Sequence, residues 1–276
     1  MTTLEHALQD LFKPGPIEIQ KLVERHFEGD DEHKARLGVE FAGAAFGTNH
    51  PDYSLHLNNL ALVVQAQGRH AEAERLYRQA LEIDRATLGE EHPDHASALN
   101  NLAGVVHAQG RYTEAEGLYR EALEIGRATL GEWHPDYASS VNNLAGVVRA
   151  QGRHEEAEGL YRQALEIDRA TIGEGHPTYA SGLNNLAGAV EDQGRYAEAE
   201  GLYRQALQIG RATLGEGHPD YAIDLNNLAG VLIKLDRAAE ARPLLEQALA
   251  IFRATLPADH PQIENTERGL AALPDG

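Results

Sequence analysis

The chain contains no cysteine, which excludes disulfides, thiol catalysis and thiolate metal sites. Lysine is nearly absent, occurring only at Lys13, Lys21, Lys34 and Lys234, and no phosphate-cradling loop of the G-x-x-x-x-G-K type occurs. No H-E-x-x-H occurs either, and nothing sets a nucleophile beside a base, so no catalytic residue is assigned and an enzyme is not expected. No apolar run approaches the ~20 residues that a membrane-spanning helix needs. The opening Met1-Thr2-Thr3-Leu4-Glu5-His6 lacks the basic stretch and apolar run of a secretory signal, so a cytoplasmic location is expected. Basic residues are scarce: 24 stand against 43 acidic ones, for a net charge of -19. Such a chain offers no basic face to phosphates, which argues against nucleic acid and against anionic membrane surfaces.

What the chain has instead is repetition. Leu-Asn-Asn-Leu-Ala begins at Leu57, Leu99, Leu183 and Leu225, and the copy at Val141 differs only in its first residue. His-Pro recurs on the same 42-residue step, at His50, His92, His134, His176, His218 and His260. Fixed self-similarity at such a period marks a solenoid of stacked helical pairs. The organisation expected is five tandem 42-residue repeats over 47–256. Residues 1–46 form an N-terminal helical cap or a degenerate repeat, and 257–276 a capping helix.

Each repeat reads as two helices. In the third, Tyr137, Val141, Leu144, Ala145 and Val148 fall on one helical face, with Pro135 at the helix start and Gly152 placed to end it. The second helix carries Ala157, Leu160, Tyr161, Ala164, Leu165 and Ile172. In the first repeat the pattern predicts helices over 53–67 and 70–88. Outside the repeats, Pro16–Phe27 and Asp31–Phe46 can form two more, split at Glu28-Gly29-Asp30. The fold class is all-α, an α-solenoid expected to wind as a right-handed superhelix.

Leu-x-x-Leu-Ala-x-x-Val, followed by Gly-Arg-Tyr/His and then Ala, Tyr and Ala at these offsets, resembles the tetratricopeptide repeat. The 42-residue period, the Asn-Asn pair and the stretches 196–207 and 214–222 resemble more narrowly its kinesin light chain type. That resemblance implies a binding scaffold whose concave face takes an extended peptide.

Helical geometry, ~100° per residue, locates that face. Opposite the core of the third repeat's first helix lie Ser139, Asn142, Asn143, Gly146, Arg149 and Ala150. The paired asparagines are its sharpest feature: Asn58 and Asn59, Asn100 and Asn101, Asn142 and Asn143, Asn184 and Asn185, Asn226 and Asn227. Asparagine is a mediocre helix former, so its paired repetition needs a reason. Its amide both donates and accepts, so a ladder of amides can clamp an extended peptide backbone. Alternatively, one asparagine of each pair fixes the stacking of repeats. Gly104, Gly146, Gly188 and Gly230 share the face, where the first repeat has Leu62; either a ligand chain or neighbouring side chains crowd them.

Near-identical repeats diverge at Gln65, His107, Arg149, Glu191 and Ile233, and beside them at Ala66, Ala108, Ala150, Asp192 and Lys234. This predicts a graded surface, mildly basic near Arg149 and acidic near Glu191 and Asp192. The peptide-binding candidates are thus the ten asparagines with Gln65, His107 and Arg149. Arg78, Arg120, Arg162 and Arg204 of the second helices can reach the groove edge or pair with glutamates.

The six His-Pro histidines stand a full repeat apart, too far to chelate a metal, and serve as turn residues at the helix starts. The other acidic residues read as solvated, and no cofactor is expected. The partner expected is another protein, through an extended segment, with self-association left open. The rival reading is a structural or regulatory subunit that docks by its convex face, its edge or its N-terminal segment.

Overall fold

The computed structural model describes residues 30–274; the helix expected over Pro16–Phe27 lies outside them. Twelve α-helices and no strand are found among the described residues. They are α1 (Asp31–Phe46), α2 (Pro51–Ala66), α3 (His70–Thr87), α4 (Pro93–Ala108), α5 (Tyr112–Thr129), α6 (Pro135–Ala150), α7 (His154–Thr171), α8 (Pro177–Asp192), α9 (Tyr196–Thr213), α10 (Pro219–Lys234), α11 (Ala238–Thr255) and α12 (Pro261–Ala271). The chain divides after Gly131 into two compact units. The first holds α1–α5, the second α6–α12. Each is a solenoid in which a first helix packs on its own second helix, and that second helix on the first helix of the next pair.

The His-Pro step explains where the first helices begin. The proline occupies the first turn, where its missing N–H has no intrahelical partner to lose. The histidine is the N-cap: its Nδ1 accepts from the backbone N–H two residues on, at 3.2 Å for His50, His92, His134, His176 and His218 and 3.3 Å for His260. Imidazole here does what Ser or Asp does at most helix starts. The six histidines are therefore structural acceptors, one per helix. At the far end of the first helices, Gly68, Gly110, Gly152 and Gly194 take φ of +76° to +79°, and the same address in the last repeat is Asp236 at φ +60°.

The predicted core is where the periodicity put it. Tyr137, Val141, Leu144, Ala145 and Val148 of α6 are buried, as are Ala157, Tyr161, Ala164 and Leu165 of α7. Val147 is buried as well, so a first helix covers more of its circumference than one apolar stripe. What remains exposed is narrow. At the C-terminal end Ile263 of α12 is buried against Tyr221, Leu225, Ile251 and Phe252, with Leu270 packed at the margin.

One regularity escapes the residue pattern. Glu32 and Arg36 of α1 stand 42 residues before Glu74 and Arg78 of α3 and make the same bonds. Arg36 pairs with Glu32 at 2.7 Å and with Glu72 at 2.8 Å; Arg78 pairs with Glu74 and Glu114, both at 2.8 Å. Arg69 reaches Glu32 at 2.6 Å and Arg111 reaches Glu74 at 2.8 Å. The second unit repeats the square with Arg162, Arg195, Glu158 and Glu198. Partial burial raises the carboxyls of Glu74 and Glu158, and the arginine and glutamine hydrogen bonds outweigh it, holding both at about 2. The helical arginines thus pair with glutamates along the second helices. At these charged positions α1 matches the second helices α3 and α7.

Candidate functional site

The outward face of the first helices is a stripe four positions long, exposed or half-buried except at Gly188. On α2 it reads Leu55, Asn59, Leu62 and Ala66; on α4, Ser97, Asn101, Gly104 and Ala108. On α6 it reads Ser139, Asn143, Gly146 and Ala150; on α8, Ser181, Asn185, Gly188 and Asp192; on α10, Ile223, Asn227, Gly230 and Lys234. The spacing i, i+4, i+7, i+11 keeps all four on one side of a helix.

All ten asparagines are half-buried, and most of their amides serve the stack. Asn101 Nδ2 donates to Asn58 Oδ1 at 3.3 Å, and Asn185 Nδ2 to Asn142 Oδ1 at 3.1 Å. Each bond spans 43 residues, one more than the repeat. The first asparagine of one helix therefore meets the second asparagine of the next, which is why they come as a doublet. Asn184 Nδ2 donates instead to Asp224 at 2.5 Å, and Asn226 Nδ2 to Thr266 Oγ1 at 2.8 Å. Asn100 and Asn143 are engaged too. Asn59 and Asn227 keep amides with no side-chain partner among the described residues.

The same offset governs the divergent positions. Arg149 Nε donates to Asp192 at 2.6 Å, and Lys234 Nζ meets Glu191 at 2.7 Å, both joining one first helix to the next. The graded charge expected along this face is thus cancelled by pairing within the second unit. Tyr203 OH also donates to Glu191, at 2.8 Å. Arg149 lies over Gly188, where a Cβ would come within 2.5 Å of its Nη1. The hydroxyls of Tyr119 and Tyr161 stand 3.4 Å from where a Cβ would be at Gly104 and Gly146, whereas Gly230 has open space. Of the four glycines only Gly188 is crowded by the protein's own side chain; at Gly104 and Gly146 a Cβ would make ordinary contact with a tyrosine hydroxyl.

In the first unit Gln65 Oε1 accepts from Tyr77 OH at 3.1 Å. His107 meets Tyr112 edge to face, with ring centroids 5.6 Å apart, and loss of hydration lowers its pKa, keeping it neutral. Leu55 and Leu62 are each 44 % exposed, an unusual state for leucines on a helix whose other apolar residues are mostly buried.

The expectation that the acidic residues are solvated fails at four positions. Asp84, Asp168, Glu200 and Asp224 are buried. Glu200 is satisfied by Arg204 and Arg237, both at 2.7 Å. Asp224, 6 % exposed, lies against Gly210, where a Cβ would be 2.7 Å from its Oδ2. Burial pushes its carboxyl up to about 6, against the Asn184 hydrogen bond and with the Asp220 charge adding to the rise. The sequence does hold a signal: Asp84 and Asp168 alternate with Gly126 and Gly210 at one repeat address, which drift on a solvated surface does not produce. Among the described residues no group of three or more His, Asp or Glu is placed to hold a metal ion, and no helix is long and apolar enough to cross a membrane.

These features have known counterparts. A tetratricopeptide repeat profile matches residues 40–86, 52–128, 94–170, 178–254 and 225–273. A crystal structure from Podosopora anserina, of a protein assigned to the kinesin light chains and built of nearly identical TPR-like repeats, is 31% identical, with a TM-score of 0.62 over 75% of this chain and 98% of that one. A single-substitution variant of it is 32% identical, with a TM-score of 0.63 over 75% of this chain and 97% of that one. BtubC (BKLC) from P. vanneervenii shares the fold, with a TM-score of 0.64 at 24% identity over 90% of this chain and 95% of that one. A search of curated proteins gave no match. With the 42-residue step, the paired helices and these matches together, the chain belongs to the tetratricopeptide repeat family, in its kinesin light chain-like form.

Proposed function

We propose that the chain is a non-catalytic scaffold that holds an extended segment of a partner protein against the exposed face of its first helices. Tetratricopeptide folds serve generally as protein interaction scaffolds, and this chain shares that fold. The observation that carries the finer reading is the contrast between two surfaces. Along the second helices, arginines and glutamates bind one another in closed squares, so that surface has spent its polar chemistry. The stripe on the first helices carries small side chains, two amides with no side-chain partner among the described residues, and exposed aliphatic groups. An extended segment presents unpaired N–H and C=O groups that such amides satisfy.

Site-specific photo-crosslinking tests this. A benzophenone side chain at Ser97 or Ser181 lies on the stripe, and one at Gln79 or Gln163 on the exposed side of a second helix. In lysate of the source cells, adducts form from the serine positions. Adducts from the glutamine positions alone move the docking surface to the second helices and overturn the reading.

A further inference from the structure

The two units do not offer the same face. In the second, the stripe and its flank carry Arg149, Asp192, Glu191 and Lys234, tied to one another across neighbouring helices. In the first, the stripe residues of α2 and α4 are Leu55, Asn59, Leu62, Ala66, Ser97, Asn101, Gly104 and Ala108, with no ionisable group among them, and the flanking His107 is held neutral. A charge-free face is exceptional on a chain of net charge -19.

The first repeat also departs from its siblings at two stripe addresses, and in the same sense. Where the second, third and fourth repeats have Ser97, Ser139 and Ser181, it has Leu55. Where the other four have glycine, it has Leu62. The two leucines stand seven residues apart, so they share a side of α2 about 10.5 Å apart along its axis. Between them sits Asn59, half-buried, its amide oxygen and nitrogen both without a side-chain partner among the described residues. In every later pair with a recorded bond at the doublet offset, the second asparagine gives its amide to the preceding helix. Asn59 would need an asparagine at position 16, which is Pro16.

Resting on the reading above, the geometry points to a specific occupant: an uncharged segment of a partner protein, docked extended on the first unit, with a large apolar side chain over Leu55 and Leu62 and its main chain held by the Asn59 amide. Side chains on one side of an extended chain repeat at about 6.5–7 Å, which lets one apolar residue meet a leucine while the intervening peptide group faces Asn59. A charged residue here gives up hydration and gains no counter-charge. Acidic segments are in addition repelled by the chain as a whole.

The test is selection of a random dodecamer peptide library, displayed on phage, against the immobilised full chain. Enriched peptides are then made with a fluorescein label and titrated by anisotropy. The expected peptides are uncharged, contain a large apolar residue, and bind Leu55→Ser/Leu62→Gly at least about tenfold more weakly. That variant places the residues of the sibling repeats at both addresses. Leu62→Ala, which keeps helix propensity, and Asn59→Ala weaken binding in the same direction with an unchanged circular dichroism spectrum. Enriched peptides that are acidic or basic, or that bind the variants as tightly as the wild type, overturn this inference and leave the broader reading intact. Peptides carrying a benzophenone that attach only to the second helices overturn both. Binding that emerges only when residues 1–29 are removed assigns the face to the chain's own segment. A dimer that the double substitution dissociates assigns it to a second copy. Either result, or a selection that enriches nothing, overturns the inference.

Discussion

Asp224 offers a direct measurement of what the inter-repeat contacts cost. Burial pushes its carboxyl up to about 6 in the fold, above the ordinary aspartate value of 3.8. Between those values the folded chain binds more protons than the unfolded one, so stability falls as pH rises through that window, and above about pH 6 the full penalty is present. A rise of two pH units corresponds to ~3 kcal/mol, and the side chain is buried enough that solvent screening reduces this little. Asp224→Asn removes the charge and keeps the shape. Its amide oxygen accepts from Asn184 Nδ2 as the carboxylate does at 2.5 Å. The new N–H₂ takes the place of Oδ2, which lies against Gly210. If it stays unsatisfied it costs about 1 kcal/mol. The net gain at pH 7.5 is then ~2 kcal/mol, or roughly 4–8 °C in Tm for a chain of this size. At pH 4.5, where the folded aspartate is protonated, the variant and the wild type melt within about a degree of each other. Thermal melts followed at 222 nm at both pH values check this. The glutamates held at about 2 lose their contribution in acid equally in both proteins, so they cancel in the comparison. A variant no more stable than wild type at pH 7.5, or a gain that is the same at both pH values, refutes the reasoning.

Three further outcomes are expected. His134→Ala removes an N-cap acceptor and costs ~0.5–2 kcal/mol in denaturant unfolding, whereas His134→Asn restores it; equal midpoints for the two variants would show that the imidazole does not cap. Asp236→Gly relieves a left-handed backbone at φ +60° and raises the unfolding free energy by ~1 kcal/mol, read as a higher denaturant midpoint, and a lowered midpoint contradicts it. Removal of residues 257–276 uncovers the partners of Ile263, whose burial alone is worth ~1.5–3 kcal/mol, and so increases dye binding to exposed apolar surface and lowers the melting temperature. An unchanged, monodisperse truncation would show that α12 does not cap the array.

Much of the fold was legible because its signals are local. Helix starts follow from His-Pro, and helix ends from Gly-Arg. The buried series of α6 and α7 follows from a period of 3.6 within a dozen residues. The helix over Asp31–Phe46 was visible for the same reason. Its place in the repeat register was not, because the apolar signature has drifted there while Glu32 and Arg36 persist as a charged one. The surface expected to be mildly basic near Arg149 proves paired, because the partner of Arg149 lies 43 residues on, beyond any local window.

That one-residue excess over the period is the main lesson of this chain. When identical helices stack with such an offset, position i of one meets position i+43 of the next, so a contact between like residues at this offset is written as an adjacent doublet. Asn58-Asn59 and its copies are that doublet for a neutral contact. Glu191-Asp192 is the charged version: its second member takes Arg149 from the preceding helix and its first takes Lys234 from the following one. At the first doublet the position 43 residues before Asn59 is Pro16 in place of an asparagine, and Asn59 has no side-chain partner among the described residues. The amide without a partner and the two exposed leucines around it are therefore not scattered irregularities. They fall within about two turns of α2, on the side where the proposed segment docks.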